Sequence, residues 1–223
     1  VTVGVDAAPN NGLTLNAAST QICEGSSTTI DIDFSENGYS YQLRDDSDNS
    51  LIGAVVLGDG GTINLPTGNL TTTTTFNVLV TNGACSDVLS TTPIVTVDPL
   101  PDATITGLNA VCAGTTGVNY SVPFDATYTY SWTLTSVDGS INGSNTNDIV
   151  TIDWATTGGT LEVTVTGPAP TNCVSISNMV VAVGATSPPP NGNNPIAESY
   201  CQDSTLPSLD ANTTSGATVN WYD

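Results

Sequence analysis

Two hundred and twenty-three residues carry 21 acidic side chains against a single basic one, Arg44, with no Lys and no His, for a formal net charge of -20. Without His there is no Ser-His-Asp or Cys-His nucleophile and no imidazole metal ligand, and so negative a surface repels DNA, RNA and anionic lipid, whose binding rests on Lys and Arg. A carboxylate-only enzyme, a binding module or a structural protein remains.

At 38% hydrophobic and 10% charged residues the composition is that of a folded chain. The polar mass is uncharged, with 37 Thr and one Met. Thr, Val, Ile and aromatic residues favour strands, so an all-β fold is expected. No stretch approaches the ~18 to 20 continuous apolar residues of a membrane span, and no secretory leader pattern is present. The chain starts without Met, and Asn220-Trp221-Tyr222-Asp223 reads as the middle of a strand, so a window of a longer protein is expected.

In chain order, Val1-Thr2-Val3 reads as the last strand of a preceding repeat, because Val95-Thr96-Val97 stands in the same place before the linker Asp98-Pro99-Leu100-Pro101. Residues 1–9 are thus an end piece and linker. A first repeat, residues 10–98, has strands expected at 27–34, 39–45, 51–57, 71–81 and 88–97. A second, residues 99–187, has them at 118–122, 127–135, 148–154, 160–166 and 174–183. Ser187-Pro188-Pro189-Pro190 marks the next junction, and residues 188–223 open a third, truncated repeat. Five clear strands per repeat of ~90 residues, with room for one or two more, predict immunoglobulin-like sandwiches. Proline-bearing joints act as semi-rigid spacers.

The period of two names the inward faces. Ile30, Ile32 and Phe34 share one; so do Tyr39, Tyr41 and Leu43; Phe76, Val78 and Val80; Val118, Tyr120 and Val122; Tyr128, Tyr130 and Trp132; and Leu161, Val163 and Val165.

The cysteines carry the period. Cys23, Cys112 and Cys201 are 89 residues apart in turn, and Cys85 lies 88 before Cys173, which is the signature of tandem repeats. Trp132 and Trp221 each follow their cysteine by 20 residues, where Leu43 follows Cys23. Pairing of Cys23 with Cys85 and of Cys112 with Cys173 is expected, each joining the start of a repeat to the turn before its last strand, with Cys201 pairing outside the window. Zinc is disfavoured, since no Cys-x-x-Cys and no His occur. Disulfides imply export to an oxidising compartment.

At Ala110-Val111-Cys112-Ala113-Gly114-Thr115-Thr116-Gly117-Val118-Asn119-Tyr120-Ser121-Val122-Pro123, then Tyr130-Ser131-Trp132, Val150-Thr151-Ile152-Asp153-Trp154 and Gly159-Thr160-Leu161-Glu162-Val163-Thr164, the second repeat resembles the PKD-like and immunoglobulin-like repeats of secreted Bacteroidota surface proteins. Tyr200-Cys201-Gln202 with Asn220-Trp221-Tyr222 resembles related modules, and Gln21-Ile22-Cys23-Glu24-Gly25 does so more loosely. The resemblance implies a long multi-repeat protein exported by the type IX secretion system, such as gliding-motility adhesins of the SprB kind. Its implied partners are that secretion machinery and outer-membrane anchoring proteins, with extracellular polysaccharide as a further one.

Candidate sites are few. Asp45-Asp46-Ser47-Asp48-Asn49-Ser50 gathers hard oxygen donors, making Asp45, Asp46 and Asp48 weak calcium candidates, although the glycine and final glutamate of an EF-hand loop are missing. A solvated turn beside Arg44 is the plainer account. Nothing selects a carboxylate pair for glycoside cleavage, and a repeat this size leaves little room for a cleft. Of 13 aromatic residues, Phe124, Trp154, Tyr200 and Tyr222 stand outside the expected cores and are the ones that could meet a sugar. Asp203-Ser204-Thr205 is similar to the short aspartate-led sequence O-glycosylated on exported Bacteroidota proteins, which makes Ser204 a glycosylation candidate.

The expected protein is a non-catalytic, extracellular stalk of stapled all-β repeats, without a cofactor, that holds an adhesive surface away from the cell. The alternatives are a spacer or sugar-binding appendage of a secreted polysaccharide-degrading enzyme, and a subunit of an extracellular fibre. Charge falls on the four segments as -1, -9, -6 and -4. Like charge along a row of modules keeps it extended.

Overall fold

Alternation of apolar and polar residues along short strands builds two separate pairs of sheets. The computed structural model describes residues 6–184, and among them every regular element is a strand and none is a helix. Contacts divide the chain into two units. The first takes the chain up to Pro101 together with Thr166–Val174, and the second takes Asp102–Val165 and the chain from Ser175 onward.

The first unit carries β1 (Leu15–Ala17), β2 (Gln21–Cys23), β3 (Thr29–Ile32), β4 (Ser40–Asp45), β5 (Leu51–Leu57), β6 (Ile63–Pro66), β7 (Thr74–Asn82), β8 (Cys85–Val88) and β9 (Ile94–Asp98). One sheet runs β1-β3-β6, and the other runs β2-β9-β7-β4-β5 with β8 also on β7. Between them lie Ile30, Ile32, Tyr41, Leu43, Leu65, Phe76, Val78, Val80 and Val95, all essentially without solvent contact. Each such side chain contributes about 1.5–3 kcal/mol by leaving water. Strand β2 is short and lies parallel to β9, which sets Cys23 opposite Asp98.

The second unit is built from β10 (Ala110–Cys112), β11 (Val118–Ser121), β12 (Thr129–Ser136), β13 (Ser140–Asn142), β14 (Ile149–Asp153), β15 (Gly159–Thr166) and most of β16 (Val174–Gly184). Its sheets run β10-β16-β15-β12 and β11-β14-β13. Trp132, Tyr120, Ile152, Leu161, Val163 and Val165 fill the space between them, with Val118, Val122 and Tyr130 around them. Trp154 is also buried there. It meets Tyr120 edge-to-face at 6.4 Å between ring centroids and donates its indole N–H to the Tyr120 hydroxyl at 3.2 Å. Trp154 therefore belongs to the core, not to a sugar-binding surface.

Local geometry recurs at a spacing of 89 residues. Glu24 and Ala113 each donate a backbone N–H to the last strand of their sheet, at Asp98 (2.8 Å) and Gly184 (2.9 Å). Gly25 and Gly114 follow, both at φ +79°, a left-handed turn that a side chain would strain. The hydroxyls of Tyr41 and Tyr130 accept the backbone N–H of Glu36 and Asp125, each at 2.7 Å. Leu43 and Trp132 occupy the same place in their cores.

Two expectations about strands need correction. Phe34 does not share the inward face of Ile30 and Ile32: β3 ends at Ile32, the chain turns, and Phe34 sits at φ 56° with 81% of its surface exposed. The strand expected at 88–97 is two strands, because the chain leaves the sheet at Leu89, which drops into the core, and resumes only after Pro93. Proline has no N–H to give a ladder. Tyr39 and Tyr128 are half-buried and pack against the edges of their cores.

Candidate sites: the Cys23–Cys173 bridge and the acidic turn

Parallel pairing of β2 with β9 places Cys23 where the chain leaves the first sandwich. Beside it, the Gln21 side-chain amide donates to both carboxylate oxygens of Asp98, at 3.0 and 2.7 Å. The segment Thr166–Val174 belongs to this unit and docks on the same spot. Its turn is closed by the Gly167 N–H on the Cys173 carbonyl at 2.8 Å, with Asn172 in the left-handed region at φ 47°. From it, the Thr171 hydroxyl donates to Asp98 Oδ2 at 2.6 Å, and Cys173 bonds Cys23 across a Cα–Cα distance of 5.5 Å.

The expected pairs Cys23–Cys85 and Cys112–Cys173 are therefore wrong. The reason is the direction of the strands. Cys23 lies beside Asp98, beyond the point where β9 meets Thr74 at the start of β7, whereas Cys85 faces Asn82 at the far end of β7. The eight steps from Thr74 to Asn82 alone span about 26 Å at ~3.3 Å per residue, and a disulfide needs Cα atoms within about 7 Å. The bridge joins residues 150 apart in sequence and takes one cysteine from each predicted repeat, in place of closing a loop inside either. Cys112 is disulfide-bonded as well. Cys85 is an unpaired, half-buried thiol whose Sγ lies 3.6 Å from the Asp6 carbonyl oxygen. Cys201 lies outside the described residues, as do Ser204, Tyr200, Trp221 and Tyr222.

The acidic turn between β4 and β5 spends its oxygens on its own backbone. Asp45 Oδ1 accepts from the N–H and hydroxyl of Ser47, at 2.8 and 2.6 Å, and Asp48 Oδ1 accepts the Ser50 N–H at 2.8 Å. Those Ser50 hydrogen bonds hold the Asp48 carboxyl below the usual carboxylate range. Asp46 Oδ1 takes the amide of buried Asn77 at 2.8 Å, and Asn77 in turn accepts from Arg44 Nε at 2.8 Å. No group of three or more His, Cys, Asp or Glu suited to a metal ion occurs among the described residues.

Two features escaped the sequence. In the turn after β12, the Asp138 carboxylate accepts the backbone N–H groups of Thr156 and Thr157, at 3.0 and 3.1 Å, and both of their hydroxyls. These bonds hold its carboxyl far below the ordinary range. Thr-Thr opposite an aspartate 18 residues earlier has no periodicity to reveal it. The tyrosine hydrogen bonds at Glu36 and Asp125 did have one, since acid and tyrosine keep a five-residue spacing in both sandwiches. Among exposed aromatics, Phe124 stands at 70% and Phe34 at 81%.

Residues 98–183 match the family of PKD-like domains. The second sandwich is PKD-like. Residues 12–99 match a family described as a domain of unknown function (DUF8696). No curated protein matches the chain. Among solved structures, it is similar to a chimeric titin Z1Z2 tandem (15% identity, 77% of this chain and 100% of that one, TM-score 0.30). It is similar also to a marsupial T cell receptor (12%, 81% and 74%, TM-score 0.43) and to murine CEACAM1b (13%, 77% and 99%, TM-score 0.32). PKD-like and immunoglobulin-like folds are typically non-catalytic. No helix among the described residues is long and apolar enough to cross a membrane.

Proposed function

We propose that the chain is a load-bearing stalk segment of a secreted cell-surface adhesin, made of tandem sandwiches, and that its disulfide carries tension past the folded cores. The Cys23–Cys173 bond carries this reading. Force applied along the backbone reaches Cys23, crosses two sulfur atoms and continues from Cys173. The residues between them, including β3 to β15, are shunted out of the tensile path. A stalk so linked yields little length under load, as a tether for gliding motility or surface attachment requires. Export by the type IX system and outer-membrane anchoring follow from the resemblance to Bacteroidota repeats. Single-molecule pulling tests the mechanical part. Unfolding under oxidising conditions releases only the chain outside the bridge, whereas reductant adds about 500 Å of contour for 150 residues at ~3.4 Å each. Equal extension with and without reductant overturns it.

A second reading is favoured by one observation. Phe34 is exposed on a left-handed backbone, a costly arrangement of the kind kept at binding sites. A sugar-binding appendage of a polysaccharide-degrading enzyme would use such a ring. Glycan-array binding lost in Phe34→Ala supports that reading, and an array with no signal removes it.

A further inference from the structure

We propose that the outer edge of β5 is a docking edge for an extended strand of another protein, one with apolar residues at alternate positions and Lys or Arg at its ends. The proposal stands apart from the stalk reading, since it rests on the first sandwich alone.

An unpaired edge offers a row of N–H and C=O groups to any strand that meets it, and natural sheets blunt such edges by short length, charge or proline. The first sandwich does so at β1, β2 and β6. The first two have three residues each, and β6 has four and ends on Pro66. Strand β5 is the exception. It runs seven residues, Leu51–Leu57, without a charge or a proline, and no strand among the described residues pairs with its outer side. The hydrogen bonds from the Asp45 N–H to the Ser50 carbonyl and from the Gly58 N–H to the Tyr39 carbonyl fix the ladder, so Leu51 opposite Arg44 and Leu57 opposite Ser40 are its non-bonded pairs. Their own N–H and C=O groups therefore point to the open side, as do those of Val55 by alternation. The same three residues keep their side chains in water, with Leu51, Leu57 and Val55 at 70, 63 and 53% exposure. Backbone and side chains thus present one strip. The register shift near Gly53, at φ 63°, leaves residues 54–57 as the straight run that a partner strand can follow.

The second sandwich shows a closed edge by contrast. Its four-stranded sheet ends on β12, whose exposed residues Thr129, Ser131, Thr133 and Thr135 are small and polar. The Trp132 N–H donates to the Asn145 carbonyl at 2.8 Å, and the Asn145 side-chain amide donates back to the Trp132 carbonyl at 3.1 Å. That loop takes the place a partner strand would occupy.

Charge selects the occupant. Strand β5 is neutral, but Asp45, Asp46 and Asp48 precede it and Asp59 follows it. A second copy, antiparallel about a twofold axis, would set these acids against one another, and Arg44, the one basic side chain, is already bonded to Asn77. A strand with basic ends meets the acids favourably. Main-chain hydrogen bonds hold such a strand, and the apolar strip selects its alternate side chains.

Amide hydrogen exchange of the whole 223-residue chain tests this with a capped peptide, Lys-Lys-Val-Thr-Val-Thr-Val-Lys-Lys, and with the same peptide carrying Glu for each Lys. At millimolar concentration the basic peptide should slow exchange at Val55 and Leu57 about tenfold, by an effect that fades as salt is raised. The acidic peptide should protect neither amide. Val55→Lys, at an exposed site, should abolish the protection and leave the denaturation midpoint unchanged. No protection by the basic peptide, or equal protection by the acidic one, overturns the proposal. Protection that appears without peptide and grows with protein concentration overturns it too, and assigns the edge to a second copy. None of these results bears on the Cys23–Cys173 bridge, so the stalk reading stands or falls separately.

Discussion

The Thr171 hydroxyl donates a 2.6 Å hydrogen bond to Asp98, the residue that faces Cys23 across the parallel β2–β9 pair, so the segment ending at Cys173 is held by a hydrogen bond and a disulfide on two adjacent strands. The two contacts reinforce each other. The hydrogen bond orients the loop, and the covalent bond removes the freedom that would let water compete for Asp98. A hydrogen bond to a charged acceptor contributes about 1.5–3 kcal/mol. Thr171→Val should therefore lower stability by about 1–2 kcal/mol with the disulfide intact, and increase amide exchange within residues 166–174. An unchanged exchange pattern would mean the disulfide alone holds the loop.

Loss of the bridge should cost more. A closed loop of 150 residues restricts the unfolded chain by about 5 kcal/mol in the loop-entropy model. Cys173→Ser should lower the melting temperature, and reduction, which also opens the bond at Cys112, should lower it further. Cys85→Ser in the isolated 223-residue chain should leave it within about 0.5 kcal/mol of the parent, since that thiol has no sulfur partner there.

The two tyrosine hydroxyls offer a matched pair of mutations. Tyr41→Phe and Tyr130→Phe each strand one backbone N–H, on Glu36 and on Asp125, and each should cost about 1–2 kcal/mol, measured by denaturant titration. Burial raises the pKa of Tyr41, and of Tyr120 as well. A raised folded value means the folded state holds the proton more tightly than the unfolded one. Stability from both groups is complete below their unfolded pKa of about 10 and is lost as pH rises through the folded values. Alkaline unfolding should accordingly begin above about pH 10, and Tyr41→Phe should shift it upward.

Much of this architecture was legible in the residues because period-two alternation reports burial directly. Phe76, Val78 and Val80, or Leu161, Val163 and Val165, can face only one way on a strand. Phe34 broke that rule because alternation cannot show where a strand stops, and β3 ends two residues earlier. Trp154 was missed for the opposite reason, lying one residue past β14 while still turning inward to Tyr120. The cysteine period was visible, but its pairing was not. Spacing says which cysteines are equivalent, and only the parallel β2–β9 pairing says that Cys23 and Cys85 sit at opposite ends of one sheet.

Phe34 tests how the first sandwich uses its exposed ring. A left-handed backbone costs a non-glycine residue roughly 1–2 kcal/mol, less for Asn. Phe34→Asn should therefore stabilise the fold by about 1 kcal/mol, seen as a higher denaturation midpoint at constant slope. A loss of stability would place the ring in a packing role that its exposure does not suggest.

Asp138 gives the acid side. Its four acceptor contacts to Thr156 and Thr157 hold its pKa far below the ordinary value, and shorter hydrogen-bonded turns lower those of Asp48, Asp102 and Asp125. A lowered folded pKa means the unfolded state takes up protons first. Stability from these groups is present above about pH 4 and drains as pH falls through the lowered values. Opposing this, protonation relieves the self-repulsion of a chain with net charge -20. The two effects separate by salt and by mutation. Repulsion is screened at high ionic strength, whereas the short hydrogen bonds at Asp138 are local and are not. Asp138→Asn keeps one acceptor oxygen and turns a donor toward the threonines. In 0.5 M salt it should lower the melting temperature at pH 7 and flatten the fall below pH 4. A parallel acid profile in parent and variant would show that repulsion, not the Asp138 turn, governs the acid limit.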